Sequence, residues 1–492
     1  MTAADNLTVL MLSWEFPPRI IGGISSHVHD LSMALARRNV TVHVVTCDFP
    51  GAPENEQIGR VNVHRFNSKI PSPSFLGWIF SMNQAMAEKA IDVINDNNEQ
   101  VDVIHAHDWL VTEAAVKVRN AFSKPLVSTI HATEMGRRGG IHNDYQRTIN
   151  EVERHLIDQS YEVICCSDYM ANQIYSAFNV QSERLHVIPN GVNVAKFAGK
   201  VSTLPIKRRY AKNGERIVCF VGRLVHEKGV HVLIGAIPKV LEAIPNVNFV
   251  IVGEGGMKDY LAKEAWNFGV ADHVFFTGFV NEETLISIYR ASDAAVFPSL
   301  YEPFGITALE AMASRTPVIV TATGGLAEIV QHEKTGIKVY VDNSDSLAWG
   351  ILRVLKNPKI ADRIRENGYQ KLLKEYDWDR IAERTMLVYN LALKAAGRPQ
   401  TIRMKFPFLV FEEYPEEIRV LLLMHILGVV DMENAKRPAE LAELLGIGFA
   451  RLHSLLQKLL DSGYVACYRD DLRRLRYFLT KLGIVKVCSA FS

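Results

Sequence analysis

Ala294-Ala-Val-Phe-Pro-Ser-Leu-Tyr-Glu-Pro-Phe-Gly-Ile-Thr-Ala-Leu-Glu-Ala-Met312 runs from a short apolar strand, Ala294 to Phe297, through a Pro-Phe-Gly turn into a helix. Strand, turn and helix in that order are the repeating unit of parallel α/β sheets. A helix that begins near Gly305 points its first free N–H groups and the positive end of its dipole back into the loop, where a phosphate fits. Glu302 stands before the turn and Glu310 inside the helix. At ~1.5 Å per helical residue the two carboxylates lie roughly 10 Å apart, about the reach of a diphosphate with a sugar at each end. The plainer reading is that Glu302 decorates an exposed turn and Glu310 a solvated helix face. The neighbouring segments decide between the two.

Outward from this stretch the same alternation continues. Leu7 to Leu12, a helix from Ser25 to Arg38, and Thr41 to Thr46 open the chain, and Val101 to His105, Leu126 to Ile130, Glu162 to Cys166 and Leu185 to Ile188 are further strands. These predict one Rossmann-like unit with a parallel sheet. A Gly, Lys and Arg-rich connector, Asn190 to Lys212, interrupts the pattern. It resumes with Ile217 to Val221, Asn248 to Val252, Val274 to Thr277, Ala294 to Phe297 and Pro317 to Thr321, a second doubly wound unit ending near Val341. Ligands of such sheets sit at the carboxyl ends of the strands, so two units facing each other make a cleft where these loops converge. The reading divides the chain into residues 1–200, 201–375, a returning helical segment 376–398, and a final module 399–492.

The 492-residue length suggests about three units at ~150 residues each, and 48% apolar with 22% charged residues fits a soluble enzyme. A formal net charge of +1 gives no global field that selects nucleic acid or an anionic membrane. The six cysteines contain no C-x-x-C and no disulfide framework, which points to a reducing cytoplasm. The first twenty residues do not read as a signal peptide, and no apolar run approaches the ~18 residues that span a bilayer. Phe75-Leu-Gly-Trp-Ile-Phe80 is the most lipid-like stretch, and it reads as core or as the lining of an acceptor cleft.

Other strand-end loops carry the chemistry. Gly22 and Gly23 follow Trp14-Glu-Phe-Pro-Pro18 and open a helix, so a phosphate can approach their backbone N–H groups closely. Arg223 and Lys228, within Val221-Gly-Arg-Leu-Val-His-Glu-Lys-Gly229, combine a planar donor fork with a compact charge, a pairing that suits a diphosphate leaving group. Their plain alternative is two solvated surface cations. His131 ends the strand Val127-Ser-Thr-Ile-His131, although a lone histidine is more often structural. Gly324-Gly-Leu-Ala-Glu328 marks another close backbone approach, whereas Gly253-Glu-Gly-Gly256 discriminates little. No Asp-x-Asp stands in a strand-end loop and no His/Cys cluster has ligand spacing, so the sequence indicates neither a catalytic metal nor another cofactor.

Glu302-Pro-Phe-Gly with Glu310, Val221-Gly-Arg with Glu227-Lys-Gly, the early Gly-Gly and Thr129-Ile-His131 together resemble the retaining GT-B glycosyltransferases of family 4, over about residues 7 to 390. Trp14-Glu-Phe-Pro-Pro18, His105-Ala-His-Asp-Trp109 and Thr323-Gly-Gly-Leu326 resemble the glycogen and starch synthase branch in particular. The resemblance implies two Rossmann-like domains, an acceptor domain at 1–200 and a nucleotide-sugar domain at 201–375, and metal-independent hexosyl transfer with retention. The departing phosphate takes the acceptor's proton in that picture. It assigns Glu302 to the donor sugar's hydroxyls and Glu310 to the ribose. Phe304, Gly305, Ile306 and Thr307 form the rest of the donor loop. Arg223, Lys228 and the Gly22-Gly23 backbone hold the diphosphate, His131 stands near the donor sugar's primary hydroxyl, and Asp108 and Trp109 lie on the acceptor side, with Trp109 equally readable as core. Where the branch pattern has Lys-x-Gly-Gly-Leu, this chain has Arg19-Ile-Ile-Gly-Gly-Ile24, which leaves both the donor (UDP-glucose or ADP-glucose) and the acceptor (a glucan or a small sugar phosphate) open.

The last residues change grammar. A Pro407 to Pro415 link precedes three short helical patterns, Glu417 to Val430, Pro438 to Leu445 and Ala450 to Ser462, then a hairpin, and the whole resembles a winged helix-turn-helix. The candidate recognition helix offers Arg451, His453 and Lys458, and the wing Arg473, Arg474 and Arg476. Residues 399–492 hold 13 Lys and Arg against 11 Asp and Glu. That near-neutral balance favours protein contact or homo-oligomerisation over nucleic acid as the module's role, with a sugar-binding regulator that carries a DNA-binding tail as the alternative to an enzyme.

Overall fold

Strand-length segments that are apolar at consecutive rather than alternate positions belong to sheets covered on both faces. Val9-Leu-Met-Leu12 and Ala294-Ala-Val-Phe297 are such runs, and all eight residues are buried. The computed structural model describes residues 7–492 except 70, 71, 73, 97–99, 200, 398–414, 427, 428, 430, 431, 433, 434, 446, 471–473, 484, 485 and 487–492. Lys200, the Pro407 to Pro415 link short of Pro415, and Arg473 therefore lie outside the described residues. The chain forms two compact units, one of residues 1–164, 178–186 and 385–492, the other of 165–177 and 187–384.

The first unit is built on β1 (Thr8–Leu12), β2 (Thr41–Cys47), β3 (Asn55–Ile58), β4 (Val61–Phe66), β5 (Val103–His107), β6 (Leu126–Ile130), β7 (Glu162–Cys165) and β8 (Leu185–Val187), in the order β3-β4-β2-β1-β5-β6-β7-β8. β1 pairs in parallel with β2 on one side and β5 on the other. The antiparallel β3–β4 hairpin at the edge is absent from the sequence reading, because β3 is polar and half-exposed and lacks an apolar run. β5 starts two residues later than expected, at Val103. His105 and His107 are therefore both strand residues, and the period of two sends them to one face.

The second unit contains β9 (Arg216–Val221), β10 (Val247–Val252), β11 (Val274–Gly278), β12 (Ala294–Phe297), β13 (Val318–Thr321) and β14 (Ile337–Val339), in the order β11-β10-β9-β12-β13-β14. Val218, Phe220, Phe249, Ile251, Val296 and Ile319 on this sheet share one core with Leu233 and Ile237 of the helix Val230–Ala243 and with Leu347 and Ile351 of the helix Ser344–Leu355. Strand order reverses between β9 and β12, the switch point at which doubly wound sheets leave a crevice.

Helices Glu416–Ile426, Pro438–Leu445 and Phe449–Asp461 and the antiparallel pair β15 (Val465–Arg469) and β16 (Leu475–Leu479) form the expected three-helix, one-hairpin module. Its core of Val420, Leu421, Leu441, Leu452, Leu456, Val465 and Leu479 also includes Phe80, from the helix Phe75–Asp96 of the first unit. His425 Nε2 lies 3.0 Å from Gln84 Oε1 on that same helix. The module is thus packed onto the first unit rather than strung beyond it.

Candidate functional site

In the second unit the loops after β9 and β12 flank the switch point and are tied together through their backbones: Leu300 N–H donates to the Glu227 carbonyl at 2.8 Å. This brings Lys228 against Glu302, Nζ to Oε2 2.6 Å, and Ser299 Oγ donates to the same oxygen at 3.2 Å. Glu302 is only 8% exposed, which removes the reading of a decorated turn. Arg223 reaches Glu227 at 3.5 Å but stays half-exposed, so its guanidinium faces solvent.

The helix Ile306–Ala313 starts where expected. Gly305 is its N-cap with φ +112°, and no side chain caps the first turn. That leaves the amide end of the helix to an anion. Ile306 and Thr307 are half-buried on this turn, whereas the Phe304 side chain is committed to the core, edge-on to Tyr376 at 6.0 Å. Glu310 is oriented by buried Tyr289, whose hydroxyl donates to Oε2 at 3.1 Å and also lies 3.2 Å from the Thr307 carbonyl. Gly324 and Gly325 make their close approach to the Glu302 loop itself, with Gly325 N–H donating to the Glu302 carbonyl at 3.0 Å.

In the first unit the glycine turn differs from the sequence expectation. The helix Gly23–Arg37 begins at Gly23, but the N–H groups of Ile21 and Gly22 already donate to Glu15 Oε2, at 2.6 and 2.8 Å. An internal carboxylate therefore occupies the place where a phosphate was expected at Gly22. An incoming anion must use Gly23 or displace Glu15.

His131 lies just past β6, half-buried, and is not a lone histidine. His27 of the helix Gly23–Arg37 and His107 of β5 stand around it, with ring centroids 4.7 Å (His27) and 5.6 Å (His107) from its own. His107 Nδ1 lies 3.3 Å from His131 Nε2. Burial, reinforced by the other imidazoles, holds His107 and His131 well below the usual histidine pKa, so both rings are neutral at neutral pH. His105, lowered to about 3 mainly by burial, has both nitrogens engaged, by the Tyr389 hydroxyl at 2.8 Å and Thr129 Oγ1 at 2.7 Å. Among the described residues, His27, His107 and His131 are the group whose ligand atoms come close enough for one metal ion, all within 4.8 Å of one another. Linear spacing gave no sign of this cluster.

Asp108 and Trp109 do not stand open to an acceptor. Trp109 is 5% exposed, within a turn of 3-10 helix, and packs edge-on to Phe75. Asp108 is buried with φ +64° and accepts the His131 backbone N–H at 3.0 Å, fixing that residue's backbone. Burial raises its pKa to about 6, against the opposing effect of Arg137. Because the folded value lies above the unfolded one, stability from this group is full below about pH 4 and is lost as pH rises through about 6. About two pKa units correspond to ~3 kcal/mol. Asp108→Asn keeps an acceptor oxygen and a residue type tolerant of positive φ. Calorimetric unfolding should show the variant's advantage over wild type growing from pH 4 to 6 and levelling off above, at up to ~3 kcal/mol. A constant difference across that range would show that Asp108 does not carry it.

The sequence reading missed Glu15, His27, His107 and Tyr289 as parts of these sites. Glu15 and Tyr289 carried no local signal, since each acts on a segment six or more residues away. His107 became legible only once β5 was extended to it.

Two family models match the chain: Glycosyltransferase Family 4 over residues 21–196 and Glycosyl transferases group 1 over residues 204–371. An uncharacterized glycosyltransferase of Methanocaldococcus jannaschii is 39% identical over 396 residues, 80% of this chain and 100% of that protein. A glycogen synthase of Mycobacterium tuberculosis is 34% identical over 411 residues, 80% of this chain and 97% of that protein. Among solved structures, sucrose-phosphate synthase from Thermosynechococcus elongatus superposes with a TM-score of 0.67 at 24% identity, covering 79% of this chain and 100% of that one. Two Rossmann-like domains, each matched by its own family model, and relatives of this identity along nearly their whole length place the chain among the GT-B glycosyltransferases of group 1 and family 4.

Proposed function

We propose that this chain is a retaining, metal-independent hexosyltransferase that moves glucose from a nucleotide-sugar to an α-glucan, in the manner of a glycogen synthase. The observation that carries the reading is the Lys228–Glu302 pair, 2.6 Å apart beside the uncapped amide end of the helix Ile306–Ala313. A carboxylate for sugar hydroxyls, a cation for the leaving diphosphate and free helix N–H groups are what transfer without a metal requires. Arg223 adds a second cation, Glu310 holds the ribose, and neutral His131 donates to or accepts from the donor sugar. The 34% identity to a glycogen synthase supports the glucan as acceptor. So does an aromatic group in which the start of the helix Phe75–Asp96 meets the loop after β1: Phe75 is 45% exposed and stacks on Trp78 at 6.0 Å, and Trp78 meets Trp14 edge-on at 6.4 Å. Such faces suit sugar rings.

For the C-terminal module we propose protein contact or self-association. Arg451 and Lys458 of its third helix are paired with Glu416 and Glu417 of its first. A helix whose cations are neutralised within its own module is poorly suited to phosphate backbones.

The test is turnover of the purified chain with UDP-glucose or ADP-glucose, each offered glycogen or a small sugar phosphate, followed by nucleotide release and product mass. The expected result is glucan extension that survives chelator treatment and retains α-linkage. Nucleotide release with product only on the sugar phosphate would replace the glucan reading with a small-acceptor one, and no release with either donor would overturn the proposal.

A further inference from the structure

The buried histidine cluster of the first unit goes beyond the transfer reaction. We propose that His27, His107 and His131 form a binding site for one borderline transition-metal dication of the zinc class, and that its occupancy inhibits the enzyme.

Three features support the site. His107 Nδ1 and His131 Nε2 stand 3.3 Å apart, the separation of two imidazole nitrogens that each lie about 2.05 Å from one tetrahedral ion. His27 completes the set, with all ligand atoms within 4.8 Å, so closing the third corner takes a ring movement of up to about 1.5 Å. His107 Nε2 is buried without a hydrogen-bond partner, so no bond made by that nitrogen holds the ring against turning Nδ1 onto a metal. His105 is excluded because both of its nitrogens are already engaged.

The chemistry of the donor set selects the ion. Imidazoles without a thiolate or a ring of oxygens suit Zn2+ and its neighbours rather than Mg2+ or Ca2+. Asp108, hydrogen-bonded to the His131 backbone, supplies a nearby carboxylate for the dication's charge. His131 is the half-buried member of the set, so the ion can enter from that side and keeps a fourth position for water.

Inhibition follows because His131 cannot ligate the metal and serve the donor sugar at once. That half of the inference rests on the role proposed for His131 above, and the binding half does not. The chain is first stripped with a chelator and then titrated with Zn2+ by calorimetry and with Co2+ by visible absorption. One equivalent should bind, with the intense band of tetrahedral cobalt. X-ray absorption of the zinc-loaded wild type should show imidazole nitrogens at about 2.0–2.1 Å. His27→Gln, with its fold checked by circular dichroism, should weaken binding by at least about 100-fold, more than the loss of an outer-shell partner costs. No stoichiometric binding, unchanged affinity in His27→Gln, or an oxygen-only shell would each overturn the site. One equivalent of zinc should also suppress nucleotide release by wild type and spare that of His27→Gln. Stoichiometric binding at the cluster with wild-type turnover intact would overturn the inhibitory role alone.

Discussion

Lys228→Ala is expected to lower kcat by about 10²–10³-fold with the fold intact. The ammonium stands at the end of the loop after β9 and contacts Glu302 at 2.6 Å. In the resting protein this pair neutralises itself. In the reaction proposed here the diphosphate gains charge as it leaves, and a pre-placed cation that meets developing charge is worth about 3–4 kcal/mol. The pair is four-fifths buried on the lysine side, so water replaces the lost cation poorly. Glu302→Ala should cost a similar factor by a different route, losing the contact to the donor sugar and releasing Lys228 from its partner. Because the two groups hold each other, the double variant should lose much less than the product of the single losses. Steady-state kinetics of the four proteins measures this directly. A Lys228→Ala enzyme with unchanged kcat and only a raised KM would assign the lysine to ground-state binding and refute its part in the departure of the diphosphate.

Most of the fold was legible because its strands are short, apolar and separated by periodic helices, a grammar that survives without tertiary information. The exceptions have physical reasons. β3 is polar at an edge, and β14, the three residues Ile337–Val339, is too short to show a period. The loop proposed to hold the donor was legible as a candidate for a related reason: Glu302, Gly305 and Glu310 lie within nine residues, so the grouping is local in sequence. The first unit's site is not local. Glu15 reaches the amides of Ile21 and Gly22 across a loop, and three imidazoles arrive from a helix, a strand and a strand-end loop. Only the sheet order, which sets β1, β5 and β6 side by side, brings the last two together. Trp109 had two readings, acceptor side and core. Its place in a motif did not choose between them, and the 3-10 turn Trp109–Val111 directs it inward.

Gly324→Ala is expected to remove activity by deforming the donor loop without touching any charged group in it. Gly324 begins the helix Gly324–Ile329 with φ +48°, a conformation that alanine adopts only at a cost of about 1–2 kcal/mol. The larger penalty is steric. A Cβ at this position would lie 2.0 Å from the Glu302 carbonyl oxygen and 2.9 Å from its carbonyl carbon. Backbone cannot rotate away as a flexible side chain can, so either the second unit loses about 3 kcal/mol or more, or the Glu302 peptide moves. Moving it breaks the Gly325 N–H bond to that carbonyl and carries the Glu302 carboxylate off Lys228. A misplacement of about 1 Å at a reacting centre costs on the order of 10²-fold, so activity should fall below what the remaining folded fraction accounts for. Gly256→Ala is the matched control, since a Cβ there meets nothing within 4 Å and its φ is not in the left-handed region. Thermal unfolding and specific activity per folded molecule, measured for both variants, separate the effects. If Gly324→Ala matches Gly256→Ala in both, the close approach of the Gly324 turn to the Glu302 carbonyl does not hold the donor carboxylate in place.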